Sequence, residues 1–140
     1  HCGREDGELG SAKEYSLVGT SHLLSMTAER DDDLLVDILI AARKALQFAG
    51  DVEHDRFQSD EVLQNAVIRM IQVIGEAANK LSEGRRRSIS AIPWEKMIGL
   101  RHRLVHDYFN INISLIWQVL QDDLPTLIRT IEPLVPSEDS

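Results

Sequence analysis

The chain of 140 residues contains one cysteine, Cys2, so it can form no intrachain disulfide and no cysteine metal cluster. Aromatic residues are scarce, at 5%. Prolines and glycines are few and sit at the edges of apolar runs. No apolar stretch approaches the roughly 18 residues that a membrane span requires. The first residues lack the basic-then-apolar layout of a secretory signal. A cytoplasmic protein with no membrane partner is therefore expected. A surplus of positive charge is missing too, since the net charge is −8. That excludes a protein that coats nucleic acid through bulk electrostatics, because phosphate binding needs clustered Lys and Arg. It leaves room for a local basic cleft. An acidic chain also suits a basic partner, which net charge alone does not name.

What is present is ordinary for one globular domain with a single sizeable core: 43% apolar and 27% charged residues. Residues 1–25 carry Gly3, Gly7, Gly10 and Gly19 without sustained periodicity. They are expected to be a flexible or non-native leader ahead of Met26, with a single domain over 26–136 and a tail over 137–140.

From Asp31 the chain turns periodic. Leu34, Leu35, Ile38, Ala41, Ala42, Ala45 and Ala49 recur at helical spacing, and Gly50 stops the run. Asp31, Asp32 and Asp33 suit the positive end of a helix dipole, so this helix is expected to open there. A polar connection over 51–58 follows. Ser59 is the expected N-cap of a second helix carrying Leu63, Val67, Met70, Ile74, Ala77 and Leu81, which Gly84 should end. Gly75, in its middle, costs about 1 kcal/mol against Ala. It implies a close helix–helix approach, within the bundle or across a dimer. Residues 85–90 read as a basic loop. Pro93 suits the first turn of a third helix. After a break near residues 110–112, a fourth begins near Ser114, and Pro125 must kink or split it. No strand pattern appears. The expected fold is all-α, an up-and-down bundle of four or five helices.

Chemistry concentrates in residues 99–109, GLRHRLVHDYF, which hold two Arg, two His, one Asp and one Tyr. Three readings stand. The segment can be a solvated helix face behind Leu104 and Val105. It can be a metal site, since His102 and His106 stand at i and i+4. That reading lacks a glutamate between them, a cysteine partner and a third ligand, and no metal is expected. Or it can perform metal-free phosphodiester chemistry. RNA brings its own nucleophile, the 2′-hydroxyl. Cleavage then needs a base, an acid and positive charge on the transition state. Histidine is the natural proton carrier near neutral pH, and the planar arginine fork matches two phosphate oxygens. Arg101 and His106 supply that minimum. Five helical residues separate them by about 140°, so they converge only if the helix ends near His106 or a symmetric dimer wraps a cleft around them. Tyr108, seven residues on, returns to the face of Arg101.

The Arg101-to-Tyr108 segment resembles the R-x4-H-x-Y motif of HepT-like proteins of the HEPN superfamily. The flanks resemble that family too: IGEAANKLS at 74–82, IPWEKMIGLRHRLVHDYF at 92–109 and IWQVLQDDLP at 116–125. The likeness covers about residues 31–133. It implies a dimerising helical bundle with the motif at the dimer interface, and a metal-independent endoribonuclease toxin without cofactor. Arg101 and His106 would be its catalytic pair. It also implies a partner, a minimal nucleotidyltransferase antitoxin that transfers AMP onto the motif tyrosine, Tyr108. The position after the motif arginine is commonly Asn in relatives; here it is His102. Arg103, and Arg85, Arg86 and Arg87, are further candidates for RNA contact, although the three consecutive arginines fit a solvated turn equally well. Trp94 and Trp117 read as packing residues. The alternative function is an inactive nucleotide-binding or adaptor bundle that serves such a nucleotidyltransferase.

Overall fold

The computed structural model describes residues 15–136. Among them all regular structure is helical. The chain divides into two compact units, His1–Arg30 and Asp31–Ser140. In the first, residues 22–30 are exposed, Leu23, Leu24 and Met26 included. The second is the helical bundle. Of the leader expected over 1–25, residues 1–14 lie outside the described residues, as does the tail over 137–140.

Helix α1 spans Tyr15–Ala49. It therefore does not open at Asp31, and the three aspartates are interior to it. The local charge signal was misassigned, because Asp31 serves a distant contact. Its carboxylate is 3% exposed and accepts from the Ser82 backbone N–H at 3.0 Å and from the Ser82 hydroxyl at 2.6 Å. Beside it, Asp32 pairs with Arg85 at 3.0 Å. Over 31–49, Leu35, Ile38, Ala42, Ala45 and Ala49 are buried. Gly50 ends α1 as expected, with φ +53°, a left-handed backbone that favours glycine.

The polar connection contains a short helix, α2 (His54–Ser59), seated by the fully buried Phe57. Ser59 is not the next N-cap. Its hydroxyl turns back to the carbonyls of Asp55 and Arg56, and Asp60 caps instead, accepting from the Leu63 N–H at 3.0 Å. Helix α3 (Glu61–Lys80) buries Val67, Ile68, Ile71, Ile74, Gly75, Ala77 and Ala78. It stops before Gly84. Ser82, held by Asp31, accepts from the Arg85 N–H and starts α4 (Glu83–Ser88), so the expected basic loop is one helical turn and a half.

Pro93 is the N-cap of α5 (Trp94–His106), which buries Trp94, Met97, Leu100 and Leu104. Asn112 then caps α6 (Ile113–Gln118), close to the expected break. A π-helical turn, Val119–Asp123, leads into α7 (Leu124–Ile131). Close to the expected split, Pro125 follows the point where the α-helix is interrupted. It sits in the first turn of α7, just after the wider turn, where its missing N–H costs little. The four longer helical segments enclose one core, with Leu35, Ile38, Ile71, Ile74, Met97, Leu104, Ile116, Leu120, Leu124 and Leu127 nearly inaccessible. Arg43 pairs with Glu132 between α1 and the end of α7. Trp117 packs on Phe57 with ring centroids 5.3 Å apart, a packing role as expected.

Two stability measurements test this account. Gly75→Ala gains about 1 kcal/mol of helix propensity. It should still lose stability in urea unfolding, because overpacking of a tight contact costs about 1–3 kcal/mol; a more stable variant would mean that the contact has slack. Asp31→Ala leaves the Ser82 N–H and hydroxyl without their acceptor and should cost about 1–3 kcal/mol. An unchanged urea midpoint would show that the Asp31–Ser82 tie contributes nothing.

Candidate active site

Helices α3 and α5 run antiparallel, since Gly75 meets Arg101 and the earlier Asn65 meets the later Tyr108, and they pack tightly at Gly75. A Cβ on that residue would overlap the Cβ of Arg101 and stand 2.8 Å from the Met97 carbonyl oxygen. The close approach expected at Gly75 is thus within the bundle, and it fixes the root of the motif arginine. Arg101 is half-buried there. Among the described residues neither Arg101 nor Arg103 has a carboxylate partner, unlike Arg43, Arg56, Arg85, Arg87, Lys80 and Lys96.

The other motif residues follow from where α5 ends. His106 is its last residue, which meets one of the two conditions set for convergence with Arg101. Both His102 and His106 are exposed, and their rings lie one turn apart with centroids 4.3 Å apart. Around the helix, His102 lies about 100° from Arg101 and His106 about 140°. His102 therefore stands between the other two. No hydrogen bond joins Arg101 to His106 among the described residues. No cluster of three or more His, Cys, Asp or Glu suited to a metal occurs among them either.

Past the helix end, Tyr108 opens a short 3₁₀ turn, Tyr108–Asn110. Its hydroxyl donates to the side-chain oxygen of Asn65 on α3. Arg101 and Tyr108 thus both face α3. Their contact points there, Gly75 and Asn65, are ten residues apart, or about 15 Å along the helix axis. Phe109 is 95% exposed and Val105 48%, an apolar surface beside the motif. Asp107 accepts from the Asn110 amide at 2.7 Å and closes the turn.

Arg103 points elsewhere. It lines a small cavity of about 80 Å³ with Leu100, Leu104, Asn112 and Leu115, on the side of α6. The three consecutive arginines are unequal. Arg85 is engaged by Asp32, and Arg86 donates to the Ala78 carbonyl at 3.0 Å. Arg87 is exposed and paired only with Glu83 in its own turn, at 3.8 Å. Arg86 and Arg87 line a cleft of about 660 Å³ with Asn79, Lys96 and Ile98. Ile98 is one turn before Arg101, so the cleft adjoins the motif. Trp94 is buried in its wall, and its indole N–H donates to the carbonyls of Arg86 and Ile89, a packing role as expected. Lys96 is held by Asp123 at 2.6 Å and Gln118 at 2.9 Å.

Two residues were missed by sequence reasoning. Asn65 gave no signal, because its only distinction is a contact 43 positions away. Arg69, one turn further along α3, is exposed on the Asn65 face, and its signal was only that i,i+4 spacing.

Comparison with known proteins matches this architecture. The sequence pattern of a family described as ribonuclease HepT-like fits residues 38–134. A protein of Methanocaldococcus jannaschii provisionally named an RNase is 34% identical over 98 residues, covering 70% of this chain and 90% of its own length. Another from that organism, with a similar provisional name, is 38% identical over 101 residues, covering 72% and 84%. A protein of Thermococcus cleftensis provisionally named ribonuclease HepT is 32% identical over 102 residues, covering 73% and 93%. No solved structure matches the chain. With a family pattern over residues 38–134, the RHRLVHDY segment included, and relatives above 30% identity that cover more than two thirds of the chain, the chain belongs to the HepT-like ribonuclease family of the HEPN superfamily.

Proposed function

We propose that this protein is a metal-independent endoribonuclease, the toxin of a toxin–antitoxin pair acting in the cytoplasm, with its domain over 26–136. The observation that carries the reading is an arginine without a carboxylate partner, rooted on Gly75, with an exposed histidine at the end of the same helix. In the proposed reaction Arg101 holds the scissile phosphate with its two-pronged fork. Charge that builds on the phosphate oxygens is met by the guanidinium. His106 moves a proton as the 2′-oxygen bonds to phosphorus and the bond from phosphorus to the 5′-oxygen breaks. Substrate RNA runs along the α3–α5 surface from the cleft at Arg86 and Arg87 past Arg101. Two copies of the chain pair through the apolar surface around Val105 and Phe109, which brings two motifs together.

The partner we propose is a small nucleotidyltransferase that places AMP on Tyr108. Added bulk and negative charge on the α3–α5 surface obstruct an RNA phosphate there. Tyr108 is 41% exposed, and its hydroxyl needs only to leave Asn65 to react.

Labelled RNA incubated with purified protein and a chelator should be cut. His106→Ala should slow that cleavage by about 10²- to 10⁴-fold while circular dichroism shows the same helix content. If neither protein cuts any of several RNAs, with Tyr108 shown unmodified by intact mass, the chain is an adaptor rather than a nuclease. With the partner nucleotidyltransferase and ATP, the intact mass should rise by AMP, and Tyr108→Phe should gain none. A full mass gain on Tyr108→Phe places the modification elsewhere.

A further inference from the structure

We propose that His102 is a second proton-transfer residue, so that one protomer carries both the acid and the base of RNA cleavage. This rests on the ribonuclease reading above and goes beyond the Arg101–His106 pair. The two imidazoles lie on successive turns with ring centroids 4.3 Å apart, both open to solvent. Neither ring hydrogen-bonds to another described residue, so their nitrogens are available to a ligand. The alternative use of such a pair, a metal chelate, lacks a third His, Cys, Asp or Glu among the described residues. Angular order adds the second argument. Going round α5 from Arg101, His102 comes at about 100° and His106 at about 140°. A phosphate held by Arg101 therefore meets the face of His102 first.

The step balances with these two groups alone. One neutral imidazole takes the proton from the 2′-hydroxyl. The 2′-oxygen forms a bond to phosphorus, and the bond from phosphorus to the 5′-oxygen breaks. The second imidazole, protonated at the outset, gives its proton to that leaving oxygen. The products are a 2′,3′-cyclic phosphate and a 5′-hydroxyl. One proton has passed to one histidine and one has left the other, and nothing is oxidised or reduced.

A leaving group that needs no acid separates the roles. We would compare wild type, His102→Asn and His106→Asn on a short RNA with one ordinary linkage and on the same RNA with sulfur replacing the bridging 5′-oxygen. Each variant should cut the ordinary linkage about 10²- to 10⁴-fold more slowly. The sulfur linkage should restore one variant, the one lacking the acid, to within a few-fold of wild type, and leave the other slow. A merely misfolded variant is not restored by a change of leaving atom. The proposal is overturned if His102→Asn cuts the ordinary linkage within a few-fold of wild type. It is overturned equally if sulfur restores both variants or neither. Failure of the wild type to cut either RNA removes the ribonuclease reading itself, and the proton pair with it.

Discussion

At Gly75 α3 and α5 come into backbone contact, and the placement of the motif residues depends on that approach. With no side chain at 75, the second helix can lay its backbone against the first, with the Met97 carbonyl at 2.8 Å from where a Cβ would stand. The same approach locks the first two carbons of Arg101. An arginine loses much rotamer entropy when it is ordered. In the proposed reaction, fixing its root beforehand reduces what remains to be lost when a phosphate binds. The cost of glycine inside a helix, about 1 kcal/mol, is thus spent on a cation held in place.

Contacts at both ends complete the support of α5. At its start, the Trp94 indole bonds the carbonyls of Arg86 and Ile89, and Lys96 bonds Asp123 and Gln118 across to the π-helical turn. Beyond its end, Tyr108 is bonded to Asn65. The helix that carries Arg101, His102 and His106 is therefore held before, within and after the motif. The two histidines stay exposed on a rigid support, which is how a reactive constellation keeps its geometry. The ties run outward as well. Asp31 holds Ser82, Ser82 starts α4, and α4 presents Arg86 and Arg87 to the cleft beside α5.

How much of this the sequence disclosed follows from the range of each interaction. The long helices were legible because burial repeats every turn: Leu35, Ile38 and Ala42, or Ile74, Ala77 and Leu81. Their stops at Gly50 and near Asn112 were legible because caps act within a few residues. The three aspartates misled because their pattern fits a local rule, whereas Asp31 answers a serine 51 positions away. Helices α2 and α4 are too short to show a period. Pro125 removes a donor from any regular α-helix, and only the wider turn at Val119–Asp123 places it in a harmless position. Of the site, Arg101, His102, His106 and Tyr108 share one local segment and could be read together. Which helix face each occupies, and that Arg103 turns toward α6, depended on packing.

The negative charge of the chain poses no obstacle to work on RNA once the ion pairs are assigned. A net charge of −8 sets the field at long range, where salt screens it within about 8 Å at physiological ionic strength. Contact with a phosphate is decided closer in, by cations that no carboxylate has neutralised. Arg43, Arg56, Arg85, Lys80 and Lys96 are matched with Glu132, Asp60, Asp32, Glu76 and Asp123. Arg101 is not matched among the described residues, and it sits half-buried, where the surrounding low dielectric strengthens its attraction for an anion. The RNA contacts proposed above accordingly fall on cations without a carboxylate partner among the described residues, Arg101 beside the histidine pair and Arg86 at the cleft.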